Sequence, residues 1–307
     1  MEKNDIEQIN KMRLELYNSP EYNLGKKIIK AKRLIKKGKI IDLLKITFRS
    51  KKIKKLSVKE NVSYSQLNKN KEKYETKKIV VYTCITGSYD EILEPMFVAD
   101  NIDYVLFTDS NKVMTKENTI WKIKLLSDKE LNKLSLSGKN RYVKMHPYYF
   151  FEGKYDYAIY IDGNIQVVSD IRKLVNAIDD KLGMAMHLHR NRDDIYSEYK
   201  VCNLLKKGNK EYLVKQISRY KEEKFPQKYG MLEANVFIVD LNSKRAKDIF
   251  SQWWDEFFIS KSGRDQISLP YILWKNGIKV NDVASLGSDV YSNSIFYINL
   301  HRRDEEL

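Results

Sequence analysis

The chain has few of the residues that would make it fibrous, disulfide-built or membrane-spanning. Its two cysteines among 307 residues, Cys84 and Cys202, form no spaced pair and no metal knuckle, so each reads as a small buried hydrophobe. So low a count fits a reducing compartment. Five prolines and twelve glycines exclude a low-complexity chain. No apolar run approaches the ~18 residues that a membrane-spanning helix needs, and Met1-Glu2-Lys3-Asn4-Asp5 is no basic-then-apolar leader. The expectation is a cytoplasmic protein without a spanning anchor. Glycine-rich phosphate loops are missing as well. Gly87 and Gly183 stand alone, which weakens dinucleotide and P-loop readings.

What is present supports a sizeable core: 42% of residues are hydrophobic and 12% aromatic, enough for one main domain and an appendage. The net charge of +15 is concentrated. Between Leu24 and Lys59 fifteen Lys or Arg face one acid, Asp42, so the rest of the chain is close to neutral. Leu24, Ile28, Ala31 and Ile35 fall at helical spacing among lysines, Gly38 interrupts, and Ile40, Ile41, Leu43, Leu44 and Phe48 resume the stripe. Residues 1–60 are therefore expected to be a basic amphipathic helical appendage, 61–77 a polar linker, and 78–307 the main domain.

Lysine-rich amphipathic helices suit an anionic membrane surface, which would place the protein peripherally on the inner face of the cell membrane. Docking on a partner subunit is the next reading. Nucleic acid ranks last, because Phe48 is the only aromatic between Leu24 and Lys59 and no nucleic-acid motif is present.

From Lys78 onward, strands alternate with helices. Strands are expected at Ile79 to Thr83, Tyr104 to Phe107, Ile120 to Leu125, Tyr157 to Ile161, Gly183 to His187 and Asn235 to Val239. Helices are expected at Asn140 to Phe151, 192–222, 243–258 and 264–275. This order predicts an α/β fold, a Rossmann-type, largely parallel sheet covered by helices on both faces.

The chemistry gathers where a strand ends. Tyr157-Ala158-Ile159-Tyr160-Ile161 is followed by Asp162-Gly163-Asn164, and open α/β sheets bind ligands beyond the carboxyl ends of their strands. Two oxygen-bearing side chains at i and i+2 can converge on one hard cation, Mn²⁺ or Mg²⁺, able to bridge the diphosphate of an activated sugar. Asp-Gly-Asn is also an excellent turn, and local sequence alone favours that reading.

With its surroundings, the segment resembles the GT-A class of nucleotide-sugar glycosyltransferases, whose signature is a strand ending in Asp-any-Asp. It is more similar still to an uncharacterised bacterial and plant family of glycosyltransferase-type domains, related in layout to the retaining galactosyltransferase and glycogenin group. The resemblance spans about Lys78 to Arg303. Asn164 replaces the second acid and offers a weaker, neutral oxygen.

Four clusters extend the resemblance, and each has a plainer alternative. In Tyr82 to Asp90, it implies a nucleoside-binding loop with Thr83, Gly87, Tyr89 and Asp90; an ordinary strand-to-loop turn is the alternative. In Asn140 to Pro147, Arg141 and Lys144 share one helical face, and the resemblance puts Arg141 on donor sugar and phosphate; a solvated helix face is the alternative. In Met231 to Phe237, Glu233 is the carboxylate facing sugar and acceptor, with Glu198 as competitor and a loop acid as the plain reading. In Gly263 to Leu269, Asp265 and Gln266 match a motif that orients sugar hydroxyls, while Asp265 also suits a helix N-terminus.

The four histidines narrow the metal question. His187 and His189 alternate on one expected strand face, but no third ligand lies near for a zinc site. The resemblance makes the late His301 a third ligand beside Asp162 and Asn164, and lets His189 and Arg190 line the donor pocket with Gly163 and Lys144.

The expected activity is metal-dependent transfer of a hexose, with retention, from a UDP sugar to a hydroxyl on a glycan, glycolipid or protein. Bacterial surface polysaccharide or glycoconjugate synthesis would be its setting. The alternative is a non-catalytic carbohydrate- or partner-binding module, which Asn164 favours.

Overall fold

The computed structural model describes residues 72–110, 119–287, 289–299 and 301. The appendage expected over 1–60, with its membrane, partner and nucleic-acid readings, lies outside them, as does most of the 61–77 linker. Among the described residues, no helix is long and apolar enough to cross a membrane.

Six strands form one sheet in the order β3-β2-β1-β4-β7-β6. They are β1 (Ile79–Ile85), β2 (Ile102–Thr108), β3 (Lys122–Leu125), β4 (Tyr157–Ile161), β6 (Met184–Leu188) and β7 (Leu232–Asp240). β1, β2, β3 and β4 run parallel, and β7 is antiparallel to both β4 and β6. A small antiparallel pair, β5 (Ile165–Val167) with β8 (Phe296–Ile298), lies just past the end of β4 in sequence and draws in the C-terminal segment.

The central strands are buried on both faces, which explains their continuous apolar runs. Val80, Tyr82, Cys84, Ala158, Tyr160, Phe237 and Val239 belong to one core cluster. Their alternating neighbours Val81, Ile85, Ile159, Ile161, Val236 and Ile238 belong to the other. Helices α1 (Glu72–Glu75), α2 (Leu136–Met145), α3 (Pro147–Phe151), α4 (Ile195–Leu204), α5 (Lys210–Glu222), α6 (Lys244–Ser260), α7 (Asp265–Lys275) and α8 (Val280–Val283) complete the framework. The fold class is the mostly parallel α/β sheet expected.

Several local expectations need correction. The helix expected from Asn140 to Phe151 is two helices broken at His146 (φ −118°, ψ 46°), because Pro147 disfavours helical geometry in the residue before it. The long helix over 192–222 is also two. Gly208 stands between them at φ +78°, where an added Cβ would lie 2.5 Å from the Ser262 carbonyl, and Asn209 caps the second. β7 begins at Leu232, so Glu233 sits in the strand and not in a loop before it. The last residues of the expected linker belong to the domain: Tyr74 is 1% exposed, and the Asn101 amide donates to the carbonyls of Tyr74, Glu75 and Lys77.

Candidate functional site

The turn after β4 is real. Ile165 N–H donates to the Asp162 carbonyl at 2.9 Å, and Asp162 N–H donates to the Asn235 carbonyl at 2.8 Å. Gly163 is required by crowding: a Cβ there would lie 2.9 Å from Ile85 Cγ1 and 3.1 Å from Asp90 Oδ2. Turn and site are therefore the same object. Tyr160 donates its hydroxyl to Asp162 Oδ1 at 2.9 Å, and Asn164 Nδ2 donates to the Asn299 carbonyl at 2.9 Å. Asp162 Oδ2 and Asn164 Oδ1 accept no hydrogen bond from the described residues, although each is a strong acceptor.

Beside this turn lies a buried ionic cluster. Asp265, the first residue of α7, pairs through Oδ1 with Arg141 Nε at 3.0 Å and through Oδ2 with Lys144 Nζ at 2.6 Å. Arg141 and Lys144 are one helical turn apart on α2, so one carboxylate meets both. Lys144 is 2% exposed, with its ammonium over the rings of Tyr160 and Trp253. Burial alone would raise the Asp265 carboxyl, but the charges of Arg141 and Lys144 outweigh it and hold the group well below the usual range. Burial likewise works against the charge on Arg141, and Asp265 and then Asp162 more than restore it. Asp265 thus anchors the cations, and both its oxygens are already engaged.

The loop after β1 divides the four expected nucleoside contacts. Thr83 is buried within the strand, 3% exposed, and its hydroxyl oxygen has no partner among the described residues. Gly87, at φ +63°, donates its N–H to Asp109 Oδ1 at 2.9 Å and leaves no room for a Cβ beside Leu136. Tyr89 is exposed, its ring 5.0 Å from that of His301. Asp90 turns inward, with its two carboxylate oxygens 2.9 and 3.1 Å from His301 Nδ1. The sequence reading assigned Asp90 to a nucleoside and His301 to a metal; the structure joins them to each other.

A second network lies at the β6–β7 end of the sheet. Glu233 Oε1 accepts the Arg190 N–H at 3.3 Å, and Gln266 donates to the Leu232 carbonyl at 2.9 Å and to Glu233 Oε2 at 3.4 Å. His189 Nδ1 lies 3.7 Å from Glu233 and accepts the backbone N–H groups of Asn191 and Arg192. Glu198, the competing carboxylate, is locked between Arg192 and Arg264. Burial raises the Glu233 carboxyl, against the opposing pull of the Arg190 N–H and of Arg192. Burial, then the Arg192 charge, lowers His189 to about 4.

His187 is fully buried and lowered to about 3 by burial, with Nε2 against the Asn293 amide at 3.0 Å. It ties β6 to the C-terminal segment. Tyr160, Trp253, Arg192, Arg264 and Tyr291, over whose ring Arg190 lies at 5.5 Å, were not singled out from sequence. Only their spatial convergence reveals them.

Among the described residues no three His, Cys, Asp or Glu side chains gather into a ready-made metal site. The donors at the end of β4 fit a different arrangement. A carboxylate oxygen and an amide oxygen without hydrogen-bond donors, on a turn whose next contact leads to His301, suit a hard cation that completes its shell with water and phosphate oxygens.

A mostly parallel α/β sheet whose central strand ends in this acid–glycine–amide turn, beside a buried arginine, has the layout of a glycosyltransferase-like domain. The chain belongs to the family described as TOD1/MUCI70, glycosyltransferase-like domain, whose sequence profile matches residues 51–301. No curated protein matches it. Membership implies, at a coarse level, a transferase with a sugar donor and a glycan acceptor. The match also takes in α1, which agrees with the packing of that helix on the domain.

Proposed function

We propose that the protein is a metal-dependent glycosyltransferase of GT-A type that moves a hexose, with retention, from a UDP sugar to a hydroxyl acceptor. The observation that supports this most is the juxtaposition, at the end of β4, of Asp162 Oδ2 and Asn164 Oδ1, which accept no hydrogen bond from the described residues, with a buried arginine held by Asp265. Asp162, Asn164 and His301 would hold Mn²⁺ or Mg²⁺, which when bound offsets negative charge on the donor diphosphate. Arg141 adds a pre-oriented positive charge, and Lys144 and Asp265 keep it in place. Gly87 and Tyr89 take the nucleoside. Glu233, with Gln266 and His189 beside it, is the acid–base group on the acceptor side, where burial raises its carboxyl above the ordinary value.

The test is a panel of nucleotide sugars scored for thermal stabilisation with Mn²⁺, followed by release of nucleoside diphosphate. UDP sugars are expected to stabilise only with metal, and Asp162→Ala is expected to abolish both signals with the metal-free melting temperature unchanged. Stabilisation that is indifferent to metal and to Asp162→Ala sinks this reading. Binding without turnover for every donor would instead favour a carbohydrate-binding module, the reading favoured by the neutral Asn164.

A further inference from the structure

We propose that Asp90 is a positioning residue that fixes the imidazole of His301 so that Nε2 faces the cation held beside Asp162; this rests on the metal-dependent reading above. Three observations carry it. The Asp90 side chain is only 8% exposed, and its two oxygens bracket His301 Nδ1 at 2.9 and 3.1 Å across 211 residues of sequence. That same carboxylate packs with Ile85 against Gly163, its Oδ2 3.1 Å from where a Cβ would stand, so it lies directly against the Asp162-Gly163-Asn164 turn. The chain leading to His301 is pinned to that turn as well. Asn299 N–H donates to the Asn164 carbonyl at 2.8 Å, and the Asn299 carbonyl accepts the Asn164 amide at 2.9 Å.

A carboxylate on one ring nitrogen keeps the proton there and leaves the lone pair on the other. Metal-bound histidines characteristically donate their second ring N–H to such a partner, which sets tautomer and orientation together. The tyrosine ring of Tyr89, 5.0 Å from the imidazole, flanks the same group.

The experiment uses the full chain stripped of metal and titrated with Mn²⁺ alone, followed by electron paramagnetic resonance of the free ion. His301→Ala is expected to weaken Mn²⁺ binding 10- to 100-fold. Asp90→Asn is expected to weaken it about 10-fold or more, because a neutral amide oxygen holds the Nδ1 proton less firmly than a carboxylate does. The double variant should be no worse than His301→Ala. Metal-free melting temperatures guard against misfolding. With only four histidines in the chain, ¹⁵N spectra of the unmutated metal-free protein read the tautomer directly, and a protonated Nδ1 is expected for the signal that His301→Ala removes. Wild-type affinity in Asp90→Asn, additive losses in the double variant, or a protonated Nε2 in the unmutated protein overturns the role of Asp90 while leaving a metal site intact. If the unmutated protein binds no Mn²⁺ on its own, this proposal falls, whereas the metal-dependent reading is decided by the UDP-sugar panel with Mn²⁺.

Discussion

Asp265 and Glu233 are two buried carboxylates joined through Gln266, yet their surroundings drive them in opposite directions. Asp265 has a cation on each oxygen and stays ionised far into acid. Glu233 has a backbone N–H, a glutamine amide and a neutral histidine for neighbours, and its proton is held more tightly than usual. Burial penalises the charge on both. Only Asp265 has close, dry counter-charges to offset that penalty. One half of the site is therefore a fixed electrostatic scaffold and the other can exchange a proton.

Three experiments test this contrast, taken from the largest effect to the smallest. Asp265→Ala strands two buried cations and should cost about 3–5 kcal/mol in denaturant unfolding near neutral pH. Because the folded-state pKa of Asp265 is depressed, its contribution is fully present above the ordinary value near 4. The gap between variant and wild type should stay constant there and shrink only as pH falls further. A gap that closes by pH 6 would show that Asp265 is not held as an anion.

Acid titration of the unmutated protein probes the other half. His187 and His189 are lowered to about 3 and about 4, so the unfolded chain takes up their protons first. Stability should begin to fall below the ordinary histidine value of about 6.5, by on the order of 3 kcal/mol per fully buried group. His189→Gln should flatten part of that slope, and an unchanged slope would remove His189 from the account. The smallest effect is expected from Glu233→Gln. A raised carboxyl costs stability once it ionises, so the variant should gain up to about 1 kcal/mol at pH 8 and nothing at pH 4. A loss at pH 8 would break the contrast.

Much of this architecture is legible in the order of residues. Continuous apolar runs such as Ile79 to Thr83 and Tyr157 to Ile161 marked the buried strands, the first of which continues to Ile85, and the pair Arg141 and Lys144 marked one helical face. Asp162, at the boundary of a buried strand and a glycine turn, was identifiable for the same reason. Other features were not. The antiparallel insertion of β7 between β4 and β6 leaves no trace in local periodicity, because a strand buried on both faces looks alike in either direction. The breaks at His146 and Gly208 carried local signals, Pro147 and a lone glycine, which the expected helices ran across.

Composition and order along the chain were thus enough for the class of fold, for the strand that ends in Asp162, and for the basic character of residues 24–59. Which polar groups answer one another was settled only by folding. From the sequence alone, the partners within the protein of Asp265, Glu198 and Asp90 were open. In each case the outcome depends on a partner far away in sequence: Asp265 on Arg141 and Lys144, Glu198 on Arg264, Asp90 on His301. Strand and helix patterns arise from neighbours along the chain. The charge state and orientation of a buried polar group arise from what surrounds it in space, where a low dielectric makes every nearby charge count.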